Sequence, residues 1–161
     1  MIRNRAGVRV AESTLIGILV LEGVLALVGG VMLVAAPSGR LLRMPADWLQ
    51  ATPFSSYLLP GLLLATGLGL LPLFAAVALG RPRATPRLQL VERALGMDTA
   101  WLASVASGAG IMIWIVTQIA MVRMFHPMQA FIFALGAVVV ALCLQPSVRA
   151  AHVRASRGRD V

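Results

Sequence analysis

The stretch "TLIGILVLEGVLALVGGVMLVAA", residues 14–36, is a continuous apolar run with one ionisable side chain, Glu22. A helix needs about 20 apolar residues to cross the hydrocarbon core of a bilayer, and this run is long enough. Its apolar residues do not alternate with polar ones, as they would in a strand of a membrane barrel. The stretch therefore predicts a membrane-spanning helix that carries a carboxyl group into the bilayer.

The rest of the chain has the same character. Of its 161 residues, 59% are hydrophobic and 12% are charged, and the mean hydropathy is +0.87. These values lie outside the range of soluble domains. Three further windows, 57–80, 99–122 and 128–145, also have the length and composition of membrane-spanning helices. We therefore expect one all-α domain, a four-helix transmembrane bundle, with an outer segment at 37–56, a basic loop at 81–98 and a basic tail at 146–161.

The basic residues predict the orientation of the bundle. All fourteen are arginines, and eleven of them fall on one side of the predicted topology. The positive-inside rule then places both termini and the loop at 81–98 in the cytoplasm, and the protein in the cell membrane. The eleven are Arg3, Arg5, Arg9, Arg81, Arg83, Arg87, Arg93, Arg149, Arg154, Arg157 and Arg159, and the other three are Arg40, Arg43 and Arg123.

The net charge of +8 also bears on partners. In a soluble domain such a charge would indicate nucleic-acid binding. Here the arginines flank apolar helices and no aromatic residues are interleaved with them. Anionic lipid headgroups at the cytoplasmic face account for them, at about 1 kcal/mol for each arginine near the surface. We expect lipid as the partner and no nucleic acid.

The two longer connections each allow two interpretations. The segment at 37–56 mixes Trp48 with aliphatic residues, Asp47 and two arginines, which is typical of an element lying at the membrane interface. Its alternative role is a lid over the mouth of a substrate site. The loop at 81–98 has apolar residues at helical spacing among arginines. It favours a strip on the cytoplasmic leaflet, and its alternative role is a docking site for a protein.

Residue types that support redox or metal chemistry are scarce. Cys143 is the single cysteine, so the chain has no internal disulfide and no dithiol pair. The two histidines lie on opposite sides of the predicted bundle, His126 in the outer turn and His152 in the basic tail, so they cannot jointly bind a metal ion or a haem. We expect no metal, no cofactor and no catalytic set of residues, and hence no enzymatic activity.

Two polar residues are predicted to set helix boundaries. His126 precedes Pro127, and this pair is expected to end the third helix and begin the fourth. A pH-sensing role for His126 is the alternative. Asp98 directly precedes the third helix, where its carboxylate can cap the first amides and interact with the helix dipole.

Glu22 is the centre of the candidate intramembrane polar site. A carboxyl group in hydrocarbon costs about 3 kcal/mol, so it is expected to face the bundle interior. Counted from the helix ends, Ser107 lies at the same depth, and Pro72 nearby deprives the Leu68 carbonyl of its N–H donor. We expect a neutral Glu22 that donates to Leu68 and accepts from Ser107, while Gln118 bonds across the bundle. The alternative is a carboxyl that changes protonation when a ligand binds.

Small residues at helical spacing predict the packing faces of the bundle. Apolar side chains gain nothing by leaving lipid, so membrane helices pack through small residues that allow close approach. One such face adjoins Glu22 on the first helix, and the third and fourth helices carry matching faces. The predicted packing residues are Ala26, Gly29, Gly30, Ser104, Gly108, Ala134, Ala137 and Ala141.

Three stretches carry a resemblance to a known group of proteins. They are "LEGVLALVGG" (21–30), "PFSSYLLPGLLLATGLGLLPLFAA" (53–76) and "GIMIWIVTQIAMVRM" (110–124). Together with the last helix, rich in alanine and glycine, they resemble uncharacterised small four-helix membrane proteins of high-GC actinobacteria. That resemblance implies the four-helix fold, and it implies neither an activity nor a set of site residues.

Two functions are compatible with these features. The first is a structural or accessory subunit of a membrane assembly, whose small-residue faces dock onto a partner protein or another copy of the chain. The alternative is a small proton-coupled transporter, acting as a homodimer, in which Glu22 exchanges protons for a hydrophobic or cationic substrate. The absence of a recognisable ligand set favours the first.

Overall fold

The computed structural model describes residues 2–81 and 98–150, with side chains from residue 7 onward. Within these ranges the chain is helical and contains no strand. The four main helices are α1 (Ile2–Ala35), α2 (Leu58–Gly80), α3 (Thr99–Val122) and α4 (Pro127–Leu144). Each is long and apolar enough to cross a membrane, counting α1 from Gly7. The prediction of an all-α fold is thereby confirmed for the described residues, and four helices of this length and composition are consistent with a multi-pass membrane protein.

The helices form a ring in which each packs against its neighbours in the chain, and α4 closes the ring against α1. Successive helices run in opposite directions. Consequently α1 begins and α4 ends at the same end of the bundle, and α1 and α3 lie across the ring from each other. The predicted helix bounds agree with the structure to within two residues, except that α1 begins well before residue 14.

Helices α1 and α2 approach closely because glycines face each other between them. A Cβ atom added at Gly30 would lie 2.5 Å from the Ala65 nitrogen, and one at Gly23 would lie 2.9 Å from the Gly69 carbonyl oxygen. A Cβ atom at Gly61 would in turn lie 3.0 Å from the Gly30 carbonyl oxygen. Of the two glycines predicted to pack here, Gly30 is therefore the one on which this contact depends.

The packing of α3 against α4 also uses glycine, but the face of α4 differs from the predicted one. Gly108 meets Gly136, where each Cβ would lie 2.8 Å from the other residue's carbonyl oxygen. The buried residues of α4 are Gly136, Val139 and Cys143. Ala134 and Ala141 are exposed and Ala137 is half-buried, so the predicted alanine face of α4 is wrong. The reason is that Gly136 allows a closer approach than alanine can, and this sets the rotation of α4.

Helix α2 has an unusual middle. Residues Leu64–Leu70 form a π-helix between two α-helical parts, Leu58–Leu63 and Leu71–Gly80. The π-helix ends two residues before Pro72, whose ring would clash with the Leu68 carbonyl in a regular helix. A wider turn relieves that clash, and such turns often mark functional sites.

Both predicted boundary residues act as expected. The Asp98 carboxylate accepts from the amides of Ala100 (2.9 Å) and Trp101 (3.2 Å) at the start of α3. His126 caps α4, where its Nδ1 accepts from the Met128 amide (3.2 Å) and its own amide donates to Gln129 (2.8 Å). These caps fix where α3 and α4 begin.

Candidate ligand-binding site in the bundle interior

Glu22 lies inside the ring of helices. Its side chain is only 2% exposed, and both carboxyl oxygens are buried. Neither oxygen has a hydrogen-bond partner among the residues that the structure describes. A buried polar group without a partner usually carries a penalty of a few kcal/mol, and a charged one carries more. The expectation that Glu22 points inward is consistent with this placement, but the bonds expected for it are not formed.

The expected partners of Glu22 are occupied within their own helices or out of reach. The Ser107 hydroxyl donates to the Ala103 carbonyl (2.8 Å), and Ser104 does the same to Ala100 (2.7 Å). A helical serine can satisfy its hydroxyl on the preceding turn without a second helix. The predicted Ser107 bond and the predicted bond to the Leu68 carbonyl are therefore wrong, although Ser107 is buried as expected.

Glu22 lines a cavity at the centre of the bundle, which we call the central cavity. It has a volume of about 160 Å³ and takes wall residues from all four helices. Apart from Glu22, the described wall residues with polar atoms in their side chains are Gln118 and Trp114, and the others are aliphatic: Leu25, Ala26, Leu64, Ile111, Ile115, Ile132 and Leu135. The structure thus brings Glu22 and Gln118, two of the three predicted polar-site residues, to one cavity.

A second, larger cavity lies toward the end of the bundle where α1 ends and α2 begins. Its volume is about 380 Å³, within the usual range of small-molecule sites. Residues 37–57, which we call the roof segment, provide much of its wall, and we call it the roof cavity. Four aromatic side chains contribute to an otherwise mainly aliphatic wall: Trp48, Phe54, Tyr57 and Trp114.

The two cavities adjoin. Leu64, Trp114 and Gln118 line both of them, so the same three side chains form their common wall. Leu64 begins the π-helical part of α2, while Trp114 and Gln118 are four residues apart and hence on one face of α3. The roof cavity and the cavity that holds the Glu22 carboxyl therefore lie on either side of one aliphatic, one aromatic and one amide side chain.

The roof segment is held in place by Tyr57, which is 4% exposed. The Tyr57 hydroxyl donates to the Pro45 carbonyl (2.6 Å), and its amide donates to the Pro37 carbonyl (2.9 Å). Burial raises the pKa of Tyr57, so the hydroxyl keeps its donor proton at neutral pH. Gly39 has a φ of 79°, and a Cβ there would lie 2.8 Å from the Tyr57 ring. The roof segment is therefore held by specific contacts, and it lines a cavity. Its alternative role as a lid requires that it line a cavity.

Sequence reasoning missed Trp114, Leu64 and the aromatic residues of the roof segment as site residues. A signal for Trp114 was present, because it lies one helical turn before Gln118. No comparable signal marked Leu64, since one leucine among many in α2 cannot be distinguished by type. Its position depends on the π-helical turn, which only the backbone reveals.

Comparison of the chain with protein families, curated proteins and solved structures found no match. The resemblance to actinobacterial four-helix proteins therefore stays a prediction.

Proposed function

We propose that the protein is a small transporter that exchanges protons for a hydrophobic or cationic substrate, with Glu22 as the proton-exchanging residue. One observation carries the proposal: the Glu22 carboxyl is buried without a partner on the wall of a cavity. A carboxyl that served only to hold helices together would be expected to hydrogen-bond to them. An unpartnered carboxyl in a cavity is available to a ligand instead.

The exchange follows from the charge of the carboxyl. An ionised carboxylate without a partner in an apolar interior is expensive, so the empty cavity favours the neutral acid. A bound cation compensates the negative charge and favours release of the proton. Proton and cation thus compete for one group, which is the minimal requirement for coupling their movement. Among the described residues that line the two cavities, only Glu22 and Tyr57 are titratable.

For orientation, we propose that both termini face the cytoplasm of a cell whose plasma membrane the bundle spans. The distribution of arginines supports this proposal. The roof segment would then lie at the outer surface, and the roof cavity would face the exterior.

A second candidate function is that of an accessory subunit, and the exposed alanines of α4 favour it. Ala130, Ala134 and Ala141 are exposed and one or two turns apart, a pattern that allows another membrane helix to approach closely. A cysteine placed at Ala134, in a Cys143→Ala background, would form a disulfide across the symmetry axis of a homodimer that packs through this face. A chain that stays monomeric under oxidation would contradict the homodimer.

The transporter function can be tested in liposomes that contain the purified protein and a trapped pH dye. An inward gradient of tetramethylammonium, which cannot cross the bilayer by losing a proton, should drive protons out and raise the internal pH. Glu22→Gln should abolish the response, whereas Glu12→Gln on the same helix, outside both cavities, should retain it. An equal response from the native chain and Glu22→Gln, or no response from either, would contradict the proposal.

A further inference from the structure

We infer that the substrate is an amphiphilic cation which occupies both cavities, with its charged head beside Glu22 and its apolar body beneath the roof segment. The inference rests on the proposed function, because it assigns the proton-exchanging carboxyl to the head of the substrate. It goes further in giving the roof cavity a role and in defining the size and polarity of each part of the ligand.

The volume of the central cavity limits the head. At about 160 Å³ it matches an apolar protein cavity of about 150 Å³ that holds one benzene molecule. A primary, trimethyl or guanidinium-type head fits a space of that size. The Gln118 amide has no hydrogen-bond partner among the described side chains, and it offers a carbonyl oxygen to the same head.

The wall of the roof cavity defines the body. Its aromatic side chains and its leucine and methionine residues favour an apolar chain or a single ring. Their faces also attract a cation that passes them on its way inward. Arg40 and Arg43 belong to the roof segment but are exposed and do not line the cavity, so the wall itself offers a cation no like charge.

The adjacency of the two cavities is the reason that we assign one ligand to both of them. Leu64, Trp114 and Gln118 line both a site for charge and a site for apolar groups, so the two sites are neighbours. A ligand with its charge at one end and its apolar body at the other matches this order of surfaces. A neutral apolar ligand would fill the roof cavity but leave Glu22 without a partner.

The chain's three tryptophans allow a direct test by fluorescence quenching. Trp48 and Trp114 line the roof cavity, whereas Trp101 lies at the opposite end of the bundle, where its indole N–H donates to the Cys143 carbonyl (3.0 Å). Bromine quenches tryptophan emission on contact. The probes are (6-bromohexyl)trimethylammonium, 6-bromohexanol and 6-bromohexanoate, titrated into two variants: Trp101→Phe, and the double variant Trp48→Phe with Trp114→Phe.

We expect the ammonium probe to quench the Trp101→Phe variant, to leave the double variant nearly unquenched, and to bind at least about tenfold more tightly than the alcohol. Adding Glu22→Gln should remove that preference and leave the alcohol's affinity within about twofold, because only the charge pair is lost. If Glu22→Gln does not fold, the affinities of the three probes for the native site still test the inference, because the cationic probe should bind most tightly.

Three results would overturn the inference. Equal quenching by all three probes would mean that the site ignores charge, and equal quenching of both variants would mean that bromine reaches tryptophan from the lipid. Glu22-dependent proton movement driven by tetramethylammonium, without quenching at Trp48 and Trp114, would leave the transporter function intact and refute the two-cavity ligand. Conversely, charge-selective quenching without proton movement would support the ligand class and refute transport.

Discussion

Replacing Gly30 with alanine tests the packing that holds α1 against α2. The new Cβ would lie 2.5 Å from the Ala65 nitrogen and 2.7 Å from both the Ala65 Cβ and the Gly61 carbonyl oxygen. Carbon atoms in good contact are about 3.5–4.0 Å apart, so the helices must separate by about 1 Å. Overpacking of this kind typically costs about 1–3 kcal/mol, and we expect a loss of that size in the free energy of unfolding.

The neighbouring glycine supplies the control. A Cβ at Gly29 would meet only the Leu64 Cδ2 atom, at 3.5 Å, which is ordinary van der Waals contact. Gly29→Ala should therefore cause no loss of unfolding free energy, and the higher helix propensity of alanine favours a gain of up to about 1 kcal/mol. Unfolding by sodium dodecyl sulfate in mixed micelles, followed by circular dichroism, measures both variants. If Gly30→Ala is as stable as the native chain, or if Gly29→Ala is destabilised as much as Gly30→Ala, then α1 and α2 do not pack as closely at Gly30 as the structure shows.

Three further substitutions test single hydrogen bonds by the same unfolding measurement. Asp98→Ala removes the cap of α3 and should lower the free energy of unfolding by about 1 kcal/mol. Asp98→Asn should retain most of the stabilisation that the cap provides. Equal losses in the two variants would contradict capping. Trp101→Phe removes the bond to the Cys143 carbonyl and should cost about 0.5–1.5 kcal/mol; no loss would mean that the bond does not join α3 to α4. Tyr57→Phe removes the bond to Pro45, and it should make the roof segment more susceptible to proteolysis while α1 and α2 stay protected; unchanged proteolysis would mean that this bond does not hold the segment.

The spans could be predicted from the sequence because a continuous apolar run of this length is rare outside membrane-spanning helices. The caps at Asp98 and His126 were predictable for a similar reason, since each depends on residues only two or three positions away. It is harder to predict from the sequence which glycine packs at a helix interface. Gly29 and Gly30 are adjacent and identical in type, and only the rotation of α1 against Ala65 and Gly61 separates the one that packs from the one that does not.

The polar site could be predicted only in part, because the sequence gives the depth of a residue along its helix but not the direction of its side chain around the helix. Depth along a helix follows from counting residues, which places Glu22 and Ser107 at one level. The direction of a side chain around the helix depends on packing. The Ser107 hydroxyl bonds to its own helix backbone, while Gln118, predicted to bond across the bundle, lines the central cavity with Glu22. The alanines of α4 failed as a packing face because Gly136 allowed a closer contact.

In the proposed exchange, the Glu22 carboxyl is a protonated acid without a hydrogen-bond partner, and it releases its proton when a cation binds. Difference infrared spectroscopy of the native chain and Glu22→Gln, with and without (6-bromohexyl)trimethylammonium, measures this directly at neutral pH. We expect a carboxylic acid C=O band that disappears when the probe is added and is absent from the variant. A native spectrum that matches that of Glu22→Gln, or an acid band that the probe leaves unchanged, would contradict it.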